Sequence, residues 1–183
     1  MAASAHDIAA ELRRRLPGLG AKKLHKLLYY CQGHHLATFD RPLFGETIAA
    51  WDMGPVVAAL WRDEKNQQPP PPRRGLGEAE LNTIGYVISR YGKLTGNDLE
   101  NLSHGERPWQ LADSNRSPQA SATIRNEWIR DYFATTGAPT SDAEEPVFDS
   151  ERLHEWLAES VTDERPANPD NLDSLRARFT SSV

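Results

Sequence analysis

Apolar positions along the chain change period several times, and each change marks a new element. Ile8, Leu12 and Leu16 recur four apart, the spacing that stacks side chains on one helical face. Ser4 or His6 stands where that helix would be capped, and Pro17, Gly18 and Gly20 end it. From Lys22 to about Leu36 comes the strongest helical pattern, with Leu24, Leu27, Leu28 and Cys31 on one stripe. Tyr29 and Tyr30 widen its apolar surface. After Pro42 and Gly45 the period shortens. Thr47 to Trp51 read as a strand, with Leu43 and Phe44 as its hairpin mate. Asp52 to Pro55 close that segment, and Pro55 suits the first turn of a third helix bearing Val56, Val57, Leu60 and Trp61.

Residues 66–75, NQQPPPPRRG, cannot continue a helix and read as a stiff linker between helices. Leu81, Ile84, Ile88 and Tyr91 form the next stripe, stopped by Gly92. Thr95 followed by Asp98 is a capping pair that opens a short helix with Leu99 and Leu102. Ser117 to Thr123 form a polar approach to a helix carrying Ile124, Trp128, Ile129, Tyr132 and Phe133. Beyond a link around Gly137 and Pro139, a 149–161 helix carries Leu153, Trp156, Leu157 and Val161. A thinner one carries Leu172, Leu175 and Phe179. Neither is expected to fold alone. The pattern predicts a mainly α protein. Residues 1–136 form a compact multi-helix single domain, with a small β-hairpin or short strand element after the second helix. Residues 137–183 form an acidic extension with one or two short helices.

Composition narrows the class. A 38% hydrophobic fraction with five Trp and five Phe supplies a core. No run approaches the length of a membrane span. The amino end, MAASAHDIAAELRRRL, has its charges after a weakly apolar opening, the wrong order for a secretory signal. A single cysteine, Cys31, suits a reducing cytosol. Together these predict a cytoplasmic protein. The net charge of −5 is uneven: residues 137–183 hold eleven acids and four bases, the rest fifteen acids and seventeen bases. An acidic tail on a near-neutral body either keeps the chain soluble or meets a basic protein partner; it weakly disfavours nucleic acid.

The stretch LSHGERPWQL, residues 102–111, holds the densest set of reactive side chains. His104 and Glu106, two apart, do not share a helical face and lack the spacing of a zinc helix. Cys31 falls in an apolar stripe, where a thiol acts as a small hydrophobe. No nucleophile elbow or phosphate-binding glycine loop is present. The stretch reads instead as a structural clasp. Pro108 stops the short helix, Trp109 seals a gap between helices, His104 meets late carbonyls or a loop amide, and Glu106 and Arg107 pin the turn. The reading is of a protein that is not an enzyme, with no cofactor and no metal. Arg13, Arg14, Arg15, Lys22, Lys23 and Lys26 form a basic cluster able to meet phosphates or an acidic partner.

KLHKLLYYCQGHHLATFDRPLFGETIAAWDMGPVV resembles the signature of the Panacea domain, the SocA-like antitoxin family once described as phage-associated proteins. The shared residues are Lys26 to Tyr30, then Leu43, Phe44, Glu46, Ile48, Ala50 and Trp51. They continue through Gly54, Pro55, Val56, Val57, His104, Glu106, Pro108 and Trp109 to Ile124, Tyr132 and Phe133. The resemblance implies a helical domain from a two-gene toxin–antitoxin system that neutralises a cognate toxin by direct binding. One relative of the family instead presents its toxin to a cytosolic protease. A proteolytic adaptor is therefore the alternative, and a DNA-binding autoregulator a further one. The Pro69–Pro72 loop and the acidic tail lie outside the shared pattern. Candidate partner-binding groups are Lys22, Lys26, Tyr29 and Tyr30, read as exposed, and Trp156. The partner is a toxin, with a cytosolic protease or a second copy as further candidates.

Overall fold

Nineteen residues, Ala21–Phe39, form a helix (α2) around which the rest of the chain is laid. The computed structural model describes residues 3–137 apart from 115 and 118. The predicted helices at 149–161 and near 172–179, with Trp156, lie outside the described residues. Ahead of α2 runs α1 (Ala5–Arg15), closed by a capping box between Ser4 and Asp7. After it come β1 (Ile48–Trp51), β2 (Gly54–Val57), α3 (Ala58–Lys65) and α4 (Glu78–Tyr91). Then follow α5 (Gly96–His104), α6 (Arg107–Asp113), β3 (Ala122–Ile124) and α7 (Asn126–Gly137). The protein is mainly α, with a small antiparallel sheet of order β2-β1-β3.

The stripe expected on α2 is only part of its buried surface. Leu24, Leu27, Leu28 and Cys31 are in the core, but so are His25, Lys26, Tyr29, Tyr30, Gln32, Gly33 and His35. Helices α1, α4, α5 and α7 and strand β2 all pack on it. A helix enclosed on this many sides must bury polar residues, and each of those needs a partner. Backbone groups partner His25, Lys26 and Gln32, and side chains partner Tyr29, Tyr30 and His35.

Three sequence expectations are corrected by this arrangement. Leu43 and Phe44 are not the mate of β1. The Gln32 carboxamide oxygen accepts from both their backbone N–H groups at 3.0 and 3.2 Å, and Phe44 makes only an isolated bridge to Ala3. A side-chain amide here takes the role of a neighbouring strand. The true mate is Gly54–Val57, so Pro55 lies in a strand paired with Ala50 and the third helix starts at Ala58. Proline lacks an N–H but is tolerated on an edge strand, where β2 sits. Finally, Ala122–Ile124 is a third strand, pairing with Ala50–Ile48 of β1. A three-residue strand whose mate lies some seventy positions earlier leaves no local periodic signal.

The α2–α7 contact depends on a glycine. A Cβ added at Gly33 would stand 2.5 Å from two ring carbons of Phe133. That ring is itself held edge-on by Tyr29, Tyr30, His34 and Tyr132. In an isolated helix, Gly→Ala adds about 1 kcal/mol of stability. Here Gly33→Ala is expected to lower stability by about 1–3 kcal/mol, the usual cost of overpacking, read by denaturant unfolding. A stabilised variant would show that α7 can retreat at no cost.

Candidate functional site

Lys26, Tyr29, Tyr30, Trp51, Gly54, Pro55, Glu106 and Trp109 of the sequence signature meet where β1, β2 and the α5–α6 junction approach α2. Two consecutive α2 residues cover the open edge of β2. Lys26 Nζ donates to the Pro55 carbonyl at 3.1 Å, and His25 Nδ1 accepts from the Val57 N–H at 3.3 Å. A free strand edge is thereby closed by side chains. Gly54 makes this approach possible. Its φ of +92° is in the half of conformational space that favours glycine, and a Cβ there would lie 2.8 Å from Lys26 Cε and 3.0 Å from Ser103 Oγ.

The α5–α6 junction supplies the second half. A capping box between Thr95 and Asp98 opens α5, as expected, and the helix ends at His104 with Gly105 as cap. Pro108 does not stop α5, as the sequence implied; it sits in the first turn of α6, where a missing N–H costs nothing. Glu106, just ahead of α6, turns its side chain inward rather than capping the helix. Its two carboxyl oxygens accept from Tyr29 Oη at 2.7 Å and Tyr30 Oη at 3.0 Å. Trp109 Nε1 donates to the Trp51 carbonyl at 3.3 Å, and the His104 ring lies on the Trp109 indole at 4.1 Å. The clasp therefore joins α6 to β1 and to α2, not two helices alone. His104 Nε2 is buried without a hydrogen-bond partner among the described residues, so this nitrogen meets neither a late carbonyl nor a loop amide there.

Burial sets the ionisation of this cluster. It raises the Glu106 carboxyl to about 7, against the pull of the two phenol hydrogen bonds. Burial also lowers Lys26 to about 8, with Glu100 pulling the other way and Lys22 adding to the fall. Burial first, and then the Glu106 charge, push the Tyr29 and Tyr30 phenols up, so both remain O–H donors. Cys31 is wholly buried and its thiol is pushed up, which leaves it inert. His104 is lowered, chiefly by burial.

Several expected roles change. Tyr29 and Tyr30 are fully buried and Lys26 is 1% exposed, so none presents a contact surface. Their polar ends are committed to Glu106 and to Pro55. Lys22 stays near the surface but pairs with Glu100 at 2.6 Å. The basic cluster is likewise engaged. Arg13 pairs with Glu64, Arg14 and Arg15 share Glu11, and Lys23 donates to the Gly92 carbonyl. Trp51, Gly54, Pro55, His104, Glu106, Pro108 and Trp109, read from the sequence as structural, are brought together, with Trp51, His104 and Trp109 half-buried and the other four buried. His104 and Glu106 do not form an acid–base pair, because the carboxylate faces the phenols and the imidazole faces the indole.

The sequence pattern does not single out what the surface offers. Met53, in the β1–β2 turn, is 53% exposed, and Trp61 of α3 is 36% exposed. A methionine in a turn that normally takes polar residues is the one signal that could mark it. Phe39 and Tyr86, also exposed, border a separate groove of about 460 Å³ among α2, α4 and α7, lined by His34 and Phe133. No described helix is long and apolar enough to cross a membrane.

Compared with known families, residues 24–110 match the profile described as "Antitoxin SocA-like, Panacea domain". Comparison with curated proteins gives no match, and comparison with solved structures gives none.

Proposed function

We propose that this protein, whose residues 24–110 carry an antitoxin SocA-like Panacea domain, is an antitoxin. It neutralises a cognate protein toxin by stoichiometric binding and changes no covalent bond. The family match is the observation that carries this reading. The chemistry of the signature residues supports it, since Glu106, Lys26 and the two tyrosines spend their polar atoms holding elements together. The amino-terminal cations are paired internally, which favours a protein partner over nucleic acid.

Neutralisation by masking needs an interface burying at least about 1,000 Å² in total. In this reading the body up to residue 136 faces the toxin, and Lys22 and the predicted 149–161 helix with Trp156 are additional contacts. The test is co-expression with the adjoining growth-inhibiting reading frame in a cytoplasmic host. Restored growth with an equimolar complex on gel filtration is the expected result. Growth restored only while toxin levels fall and a host protease is present would replace masking by proteolytic delivery. Failure of both rescue and complex would end the reading.

A further inference from the structure

The signature residues are buried or half-buried, and several of them hold the β1–β2 turn in one position. From below, Lys26 is bonded to the Pro55 carbonyl and packed under Gly54. From one side, Trp109 donates to the Trp51 carbonyl. From the other, Trp51 Nε1 donates to Ser121 Oγ at 3.0 Å. The two turn residues between the paired Trp51 and Gly54 are Asp52 and Met53. Asp52 is tied down at 2.6 Å by Arg116, which also grips Asp113. Only Met53 is left outward and apolar.

Beside this turn stands a second rigid apolar group. The Trp51 and Trp61 rings meet edge-to-face at 5.0 Å, and Lys65 Nζ lies 4.7 Å from the centre of the Trp61 ring. Both rings are thus oriented before any partner arrives. Charge on α3 is lopsided too. Its acids are committed, Asp63 to His6 and Glu64 to Arg13. Its bases, Arg62 and Lys65, have no carboxylate partner among the described residues. Beside the Trp61 ring, α3 thus offers a cation, Lys65, that no carboxylate holds among the described residues.

The geometry points to the Met53–Trp61 face, with Trp51 behind it and Lys65 at its rim, as the docking surface for the toxin. The inference rests on the antitoxin reading above. The occupant it fits is a polypeptide with an apolar cleft bordered by carboxylates. Methionine adapts to such a cleft, tryptophan anchors it, and the basic rim steers approach. Because the turn is pre-held, little freedom is lost on binding. The face also gives the signature framework a purpose: burying a lysine and a glutamate secures the position of a short, exposed turn.

The experiment uses the full-length chain and the co-expressed toxin, with affinity read by titration calorimetry and neutralisation by growth. Met53→Asp and Trp61→Asp are each expected to weaken binding at least about tenfold, with melting transitions close to wild type. Lys65→Glu should slow association at low salt and lose that effect at high salt. Tyr86→Asp, on the α2–α4–α7 groove, should bind as wild type. If wild type neutralises and both Met53→Asp and Trp61→Asp neutralise equally well, this inference is overturned and the antitoxin reading stands. A loss seen only with Tyr86→Asp moves the interface to the groove and overturns it as well. A wild-type dimer that Met53→Asp converts to monomer, with toxin binding intact, makes the face a self-association surface instead. No binding by wild type ends both readings.

Discussion

Glu106→Ala is expected to lower the free energy of unfolding by about 2–6 kcal/mol, while Glu106→Gln keeps the fold near wild-type stability. The two phenols that donate to Glu106 are fully buried, and each buried hydroxyl left unpaired costs about 1–3 kcal/mol. A carboxamide oxygen still accepts from one phenol, and its NH₂ donates to the other phenol oxygen. Urea unfolding at mildly acidic pH distinguishes the variants. Equal destabilisation by Ala and Gln would mean that volume, not hydrogen bonding, is what position 106 contributes.

The same pair carries a pH prediction. Burial raises the Glu106 carboxyl from 4.5 to about 7. Over that window the folded chain holds a proton that the unfolded chain has lost. Stability from this group is therefore full below 4.5 and is lost as pH rises through about 7, on the order of 3 kcal/mol in all. His25 and His34 act in the opposite sense. Burial lowers both from 6.5 to about 4, so their contribution is present above 6.5 and lost as pH falls through about 4. The raw profile mixes the two. The difference between wild type and Glu106→Gln isolates the carboxyl, and it should favour wild type at low pH and shift steadily toward the variant up to about 7. A flat difference curve would place the Glu106 carboxyl near its ordinary value.

Gly54→Ala is the second large effect, about 2–5 kcal/mol. The left-handed half of φ costs a residue with a Cβ about 1–2 kcal/mol, and overpacking adds about 1–3 kcal/mol. The atoms met are the buried end of Lys26 and Ser103 Oγ, so relief requires Lys26 to leave the Pro55 carbonyl. A double-mutant cycle separates the two parts. In a Lys26→Ala background the Lys26 part of the clash disappears while the backbone strain and the Ser103 Oγ contact remain, so Gly54→Ala should cost less there than in wild type. Equal costs in both backgrounds would remove the clash from the account. If the turn is the docking surface, Gly54→Ala also weakens toxin binding beyond its effect on stability, because Met53 loses its fixed position.

Legibility from sequence follows the range of the interaction. Helices α1, α2, α4, α5 and α7 are readable because repeats such as Leu24, Leu27, Leu28 and Cys31, or a cap such as Thr95–Asp98, place cause and effect within a few residues. The strands are legible only in part. Gly54–Val57 has the composition of either a helix start or a strand, and only its pairing with Ile48–Trp51 decides. The clasp at Trp109 is visible in the sequence, but its partner, the Trp51 carbonyl, lies 58 positions away and has no local signature.

The functional residues divide on the same line. By itself the sequence determined a mainly helical chain and a Panacea-type signature with Trp51, Gly54, Pro55, His104, Glu106, Pro108 and Trp109. Only the tertiary structure decided which of those side chains face inward. Tyr29, Tyr30 and Lys26 have the chemistry of contact residues, yet α2 is enclosed by four helices and a strand edge, and there Lys26 satisfies the Pro55 carbonyl while the two phenols bond to Glu106. Exposure is set by what covers a helix, and hydrogen bonds unmade in the interior cost more than those left to water. That is why the signature became framework, and Met53 and Trp61 became surface.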